Sequence, residues 1–378
     1  MDAAVPFRMV THFARLPDPR VRGRCEHRLL DIVVMALCAV IANCDDWHQI
    51  ALFARERRDW FARFLDLPNG VPSHDTFERV FDRLDPAAFQ KCFASWVKAI
   101  GPALAVPHVA IDGKTLRGSR RADLGALHLV SAWATDAQLT LGQVAVGAKS
   151  NEITAIPELL QLLDLKGTFV TIDAMGCQTA IAGQIVRAEG DYLLAVKGNQ
   201  DGLMEAVQER VRQALDAADG ESVETFETTE AKHGRVDRRT YVVIPTPAGL
   251  SGQESWPQLR AIGMCVSQRI VNGTTTGEAR YFIGSAALSA EAFAALARNH
   301  WRIENNLHWQ LDVTFREDAN RVSGRRAGEN LALLRRLALG LLKRDPTTMS
   351  LACKRLRAAL SPDFLEKLLC SDNKLEKL

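Results

Sequence analysis

Val109-Ala-Ile-Asp-Gly-Lys114 and, further along, Val170-Thr-Ile-Asp-Ala-Met-Gly176 decide the fold class of this chain. Each opens as a short apolar run of the kind that suits a pleated, half-buried surface. Each run stops at an aspartate, Asp112 or Asp173. Both read as strands, and the period of the surrounding sequence supplies their neighbours. Residues 127–135 and 138–147 read as two further strands around an Asp136-Ala137 turn. Residues 153–163 and 178–189 read as helices, and 192–196 as a strand that ends at Lys197. The order is β-β-β-α-β-α-β, a meander followed by strands alternating with helices. That predicts an α/β domain with a mixed sheet and helices on its faces.

In α/β proteins, ligands collect in the crevice beyond the carboxyl ends of the strands. Two strands ending in Asp would place two carboxylates there. The same residue type also forms turns and caps, so either aspartate alone reads more readily as structural, and it is the two together, in this strand order, that bring a functional reading level with it. Hard divalent cations prefer oxygen ligands. Two of them ~3.5–4 Å apart can activate an attacking oxygen and stabilise the leaving oxygen of a phosphodiester. Such a site needs about three converging carboxylates. Glu304, in the helix expected from Ser289 through Trp301 to Asp312, is the third candidate. His300, Glu304, His308 and Asp312 recur every fourth residue, which on an α-helix is one face. A zinc site is a weaker reading, because H-E-x-x-H is absent.

Residues 1–105 read as an all-helical domain. Residues 29–41 are continuously apolar and long enough for a buried core helix. Residues 46–65 carry a helical apolar stripe. Leu67-Pro-Asn-Gly70 is a turn, and Pro72-Ser-His-Asp-Thr76 opens another helix with Ser73 or Asp75 as N-cap. Two helices joined by a Pro/Gly turn suit either a DNA-reading helix pair or ordinary packing. Residues 106–200 form the first part of the α/β core. Residues 201–287 begin with a helix (201–218) and continue as a β-rich insertion with strands at 222–229, 236–244, 259–270 and 279–284. Residues 288–345 return to the core with the Glu304 helix and a helix at 327–342, and 346–378 form a C-terminal tail. Leu307, Leu311 and Trp301 are expected in the core, and Trp256 is a candidate for stacking on a base.

The composition is that of a globular protein, 47% hydrophobic and 24% charged. The apolar stretch 29–44 carries Asp31 and falls short of the ~20 apolar residues of a membrane span. No secretory leader is read at the N-terminus. The eight cysteines form no C-x-x-C pair, so neither a zinc site nor a disulfide framework is expected, and a reducing cytoplasm fits best. The net charge of +2 divides unevenly: +1 over 1–106, −5 over 107–297 and +6 over 298–378. A basic C-terminal part is compatible with nucleic acid or with a solvated helix surface.

Several motifs, in order, resemble a known family. They are Leu16-Pro-Asp-Pro-Arg20, His27-x-Leu-Leu-Asp31, Asn69-Gly-x-Pro-Ser-His-Asp-Thr76, Ile111-Asp-Gly-Lys114, Ile172-Asp-Ala174 and Val196-Lys-Gly-Asn-Gln200. The last are His300-Trp-x-Ile-Glu-Asn305, Leu307-His-Trp309 and Asp312-Val-Thr-Phe-x-Glu-Asp318. Over almost its whole length the chain resembles insertion-sequence DDE transposases of the H-repeat-associated group. The resemblance implies an RNase H-like catalytic domain with a β-rich insertion before the Glu helix. It implies Asp112, Asp173 and Glu304 as ligands of two Mg²⁺ or Mn²⁺ ions, and cleavage and joining at the ends of a mobile element. Wider relatives carry Tyr, Arg and Lys around the catalytic Glu where this chain has Ala297, His300 and Leu311.

The expected partners are therefore terminal inverted repeats and target DNA, held by a homodimer, with no membrane. Candidate phosphate contacts are Lys114, Lys197, His300, Arg302, Arg321, Arg325 and Arg326, with Arg335 and Arg336 beside them. Two other readings use the same residues. One is a host-adapted RNase H-like nuclease without strand transfer; the other is a catalytically inactive DNA-binding remnant.

Overall fold

The computed structural model describes residues 8–370 except 22, 101–105, 122–124, 148–149, 217–222, 233, 246–249, 251 and 323. Residue 222 and the last eight residues of the expected tail lie outside the described residues. The strands among the described residues are β1 (His108–Arg121), β2 (Gly125–Ala134), β3 (Leu139–Ala145), β4 (Phe169–Ile172), β5 (Asp191–Val196), β6 (Glu224–Lys232), β7 (Arg235–Pro245), β8 (Ala261–Val271) and β9 (Thr274–Gly284). The chain divides into two compact units. One comprises Val106–Asp112 and Asn151–Ile303; the other comprises Met1–Ala105, Gly113–Ser150 and Glu304–Leu378. β1 runs from one unit into the other just after Asp112.

The first unit is a sheet ordered β1-β4-β5-β9-β8-β7-β6. β1, β4 and β5 are parallel, with Ile111 beside Ile172 and Ile172 beside Leu194. β9 joins β5 antiparallel, and β8, β7 and β6 follow as a meander. The strands of the expected β-rich insertion, β6 to β9, continue this sheet. The reason lies in β5: its apolar Tyr192–Val196 run would otherwise expose a bare hydrophobic edge. The helix Ala290–His300, capped by Ser289, lays Phe293 across β7–β9, edge-on to Tyr241 and Phe282. Gly263 of β8 makes room for it, since a Cβ there would lie 2.6 Å from the Phe293 ring.

In the second unit the later half of β1 and the β2–β3 hairpin accompany a helical assembly. The helix Leu29–Ile41 is apolar all round because it is buried all round. Its Asp31 is buried too, and that burial pushes the carboxyl up to about 6. Ser73 caps the helix His74–Arg83, as its position before the apolar stripe predicts. The twenty-residue helix Arg325–Arg344 packs on both of these helices. Its buried Asn330 donates to the carbonyls of Phe81 (2.8 Å) and Leu84 (3.0 Å), closing the otherwise open end of helix His74–Arg83. The tail contains two helices that its sequence pattern did not announce, Leu351–Leu360 and Pro362–Leu369. Among the described residues no helix is long and apolar enough to cross a membrane, and all eight cysteines are free.

Candidate active site

Asp112 and Asp173 are set by one register. Ile111↔Ile172 is the last pair between parallel β1 and β4, so each aspartate comes directly after a paired isoleucine. Neighbouring strands lie about 4.8 Å apart, so the two aspartates follow side by side on adjacent strands. β4 ends at Asp173 as expected. β1 does not end at Asp112 but continues to Arg121. The sequence hid this continuation, because Lys114 occupies an inward position and looks like the first residue of a loop.

Asp173 turns the chain as well as presenting a carboxylate. Its Oδ1 accepts from Met175 N (3.1 Å) and Gly176 N (3.4 Å), capping the short turn Ala174–Gly176. A Cβ on Gly176 would lie 2.3 Å from Ile172 Cγ2, so the turn requires glycine. Both bonds use Oδ1 and hold the other oxygen in a fixed direction. Burial, reinforced by the nearby negative charge of Glu152, raises the Asp173 carboxyl above the ordinary range, against the pull of these amides and Lys197. A carboxylate crowded by burial and like charge is one that a bound cation would relieve. Beyond the end of β5 stands exposed Lys197. Asp173, Lys197, Arg280, His300 and Trp301 border a cavity of about 200 Å³ at this end of the sheet.

His300 does not present a phosphate-binding cation. It is 9% exposed, and burial pushes its imidazole down to about 4. His108, pushed down to about 3 chiefly by burial, lies 2.8 Å from Thr171 Oγ1, and His300 Nδ1 lies 3.0 Å from the same oxygen. A neutral His–Thr–His chain thus braces β1, β4 and the helix Ala290–His300 just behind Asp173. Trp256, at 5% exposure, is a core residue and not a stacking platform. Trp301 is 46% exposed instead of buried, with the Arg280 guanidinium 4.5 Å from its ring centroid; Leu307 and Leu311 are buried as expected.

Glu304 opens the last segment of the second unit and is exposed. From Glu304 the chain is π-helical, over Glu304–His308 and again over Gln310–Thr314. The four-residue spacing therefore does not produce one face. Glu304 is exposed, His308 is buried, and Asp312 is occupied by Lys114. π-Turns bond i to i+5 and occur often at functional sites. Among the described residues no three His, Cys, Asp or Glu side chains cluster as a metal-binding group.

The expected phosphate contacts separate into two groups. Arg302, Arg321 and Arg326 are exposed, as is Lys197. Arg325 donates to the Val146 carbonyl at 2.8 Å and is partly buried. Lys114 is not a surface cation: at 7% exposure, its ammonium sits 2.6 Å from Asp312 Oδ1 and 3.2 Å from Asp318 Oδ1. Arg335 and Arg336 are also internal. Arg336 pairs with Glu317 at 3.1 Å with both side chains fully buried, and Arg335 donates to the Asp45 carbonyl at 3.1 Å. Sequence reading missed the buried Arg355, which bonds Asp45 Oδ1 (2.7 Å) and the Val40 carbonyl (2.9 Å). Its only local signal is an arginine on the inner side of an amphipathic helix, and the partner lies 310 positions away.

Family comparison bears on the whole chain. Residues 10–97 match the model described as DDE_Tnp_1-associated, and residues 106–341 match the model described as Transposase DDE domain. The chain is 40% identical to "Putative transposase YncI" of Escherichia coli O157:H7, covering 97% of this chain and 95% of that protein. It is 38% identical to "H repeat-associated putative transposase YhhI" of Escherichia coli K12, covering 96% and 97%. Among solved structures, a piggyBac transposase synaptic complex with hairpin DNA aligns at 10% identity and a TM-score of 0.41, over 100% of this chain and 79% of that one, a likeness too loose to carry an argument. With both family models matched in order and full-length relatives at this identity, the chain belongs to the DDE transposases of insertion sequences, in the H-repeat-associated group.

Proposed function

We propose that this protein cleaves and joins DNA at the ends of an insertion sequence, with Asp112, Asp173 and Glu304 as the catalytic carboxylates of an RNase H-like core. The observation that carries the reading is the parallel β1–β4 register, which sets Asp112 and Asp173 side by side at one end of the sheet. Relatives named as transposases, and the matched DDE domain, support DNA as substrate.

The donor set suits a divalent metal. Asp112 and Asp173 offer hard oxygen ligands from adjacent strands, and Asp173 carries a charge that burial and Glu152 make costly. When bound, two Mg²⁺ or Mn²⁺ ions would supply activation of the attacking hydroxyl or water and stabilisation of the leaving oxygen. The chain's own residues do the rest. Met175 and Gly176 amides fix the Asp173 carboxylate. The His108–Thr171–His300 chain keeps the strand end rigid and uncharged. Lys197 puts a cation beside the carboxylates, where a DNA phosphate would approach. Holding two ends together calls for a homodimer on the DNA.

The deciding assay uses purified protein, a duplex carrying the element's flanking repeat, and Mg²⁺ or Mn²⁺. Nicking at the repeat end with joined product is expected. Asp112→Ala, Asp173→Ala and Glu304→Ala should each reduce it by more than ~100-fold while leaving duplex binding within about twofold. Nicking without joining would move the reading to a plain nuclease. Binding without nicking in either metal would make the chain a DNA-binding remnant, and full activity of Glu304→Ala would remove that residue from the site.

A further inference from the structure

The second unit contains an open groove of about 640 Å³, bordered by Arg117, Gly118 and Arg120 of β1 and by Asp318, Ala319 and Arg321 of the segment that follows Glu317. We propose that this groove binds the phosphate backbone of duplex DNA, with Arg117, Arg120 and Arg321 as its contacts. The inference rests on the DNA-processing function above and identifies where in this unit the duplex would be gripped.

Charge favours a polyanion. Three guanidinium groups face one carboxylate, Asp318. That carboxylate is already engaged, 3.2 Å from Lys114 Nζ, accepting from Arg117 N at 3.2 Å, with Arg117 Nε at 3.7 Å. Arg117 is nonetheless 86% exposed at its side chain, and Arg120 and Arg321 are exposed. Guanidinium forks match phosphate oxygens in a bidentate geometry that ammonium groups do not provide.

The groove is also built. A Cβ on Gly118 would lie 2.3 Å from the Asn320 carbonyl oxygen and 2.6 Å from that of Asp318, so only glycine lets the segment lie against β1. Asn320 anchors that segment by donating to the Asp45 carbonyl at 2.6 Å, while its Oδ1 accepts from Val322 N at 2.9 Å. Ser119 clamps the strand, donating to the Leu116 carbonyl at 2.7 Å and accepting from Leu127 N at 2.7 Å. A rigid, guanidinium-walled trough contributes backbone contacts and no base readout.

The test is fluorescence anisotropy of full-length protein on two labelled duplexes, one with the flanking repeat and one scrambled, over a salt series. Arg120→Gln and Arg117→Gln/Arg120→Gln are compared with the parent after confirming equal melting temperatures; Arg120→Gln alone decides the matter if loss of the Arg117–Asp318 contact lowers stability. Binding should weaken by roughly 10-fold in the double variant, equally on both duplexes, and the slope of log K against log salt should become shallower by about one per arginine. Unchanged affinity and slope in variants whose parent binds, nicks and joins would overturn the groove while leaving the proposed function standing. A loss confined to the repeat duplex would mean base reading and overturn the backbone assignment. A parent that neither binds nor nicks either duplex would overturn both.

Discussion

His300 is conspicuous for what it does not carry. Its folded value of about 4 lies below the ordinary 6.5, as does that of His108 at about 3. At these two imidazoles the unfolded chain binds more protons than the folded one below pH 6.5, so their contribution to stability falls as pH drops through that window, against the opposite contribution of carboxyls that burial raises, Asp31 among them. We expect His300 alone to take on the order of 2–3 kcal/mol from the unfolding free energy between pH 6.5 and 4, read from urea denaturation as the difference between the parent and His300→Gln. His300→Gln should flatten that decline; an unchanged pH profile in the variant would mean that the imidazole is not held neutral. Arg336 and Glu317 give a second residue-scale test. Each is fully buried, so removing one strands the other, and Arg336→Met or Glu317→Gln should each cost about 3–5 kcal/mol. The double substitution should recover much of that loss in a two-by-two denaturation cycle. Additive losses would show the pair to be incidental.

At the scale of elements, most strands are readable, the long β7 and β8 included, whereas β1 and β9 read short. β4 announces itself because Val-Thr-Ile is β-branched and Asp-Ala-Met-Gly then turns. β1 was cut short at Asp112 because Lys114 breaks the apolar alternation, and its neutralising partners, Asp312 and Asp318, are far away in sequence. The same blindness produced the misplaced Arg335, since a binary pattern assigns every charge to the outside. The helix expected through Asp312 was located correctly in its first half only, because the π-turns after Trp301 alter the period on which the pattern rests. The added strands were legible as strands, but their pairing onto β5 was not, because pairing depends on which edge needs covering. The packing of the helix Ala290–His300 on these strands is testable at Gly263. A Val there would drive its Cβ into Phe293 and should lower stability by about 1–3 kcal/mol, read as a drop in melting temperature of several degrees. A neutral Gly263→Val would mean that the helix Ala290–His300 does not press on β8.

The whole molecule is two units whose segments alternate along the chain, so neither is a contiguous piece. A fragment ending at Ile303 keeps every segment of the first unit. It strips the second of Glu304–Leu378, and with it Asn330, Arg336 and Arg355, the buried donors of its helical assembly. We expect that fragment to melt without a cooperative transition from its N-terminal helices; a sharp two-state melt across residues 29–100 would refute this. The alternation has a consequence for inheritance. A single recombination between two diverged copies of such a gene, placed anywhere between Gly113 and Ile303, leaves both units with parts from different parents. Neither hybrid would then hold a core whose side chains had been selected together, and replacing one unit intact would take several crossovers, one of them in the codons joining Asp112 to Gly113.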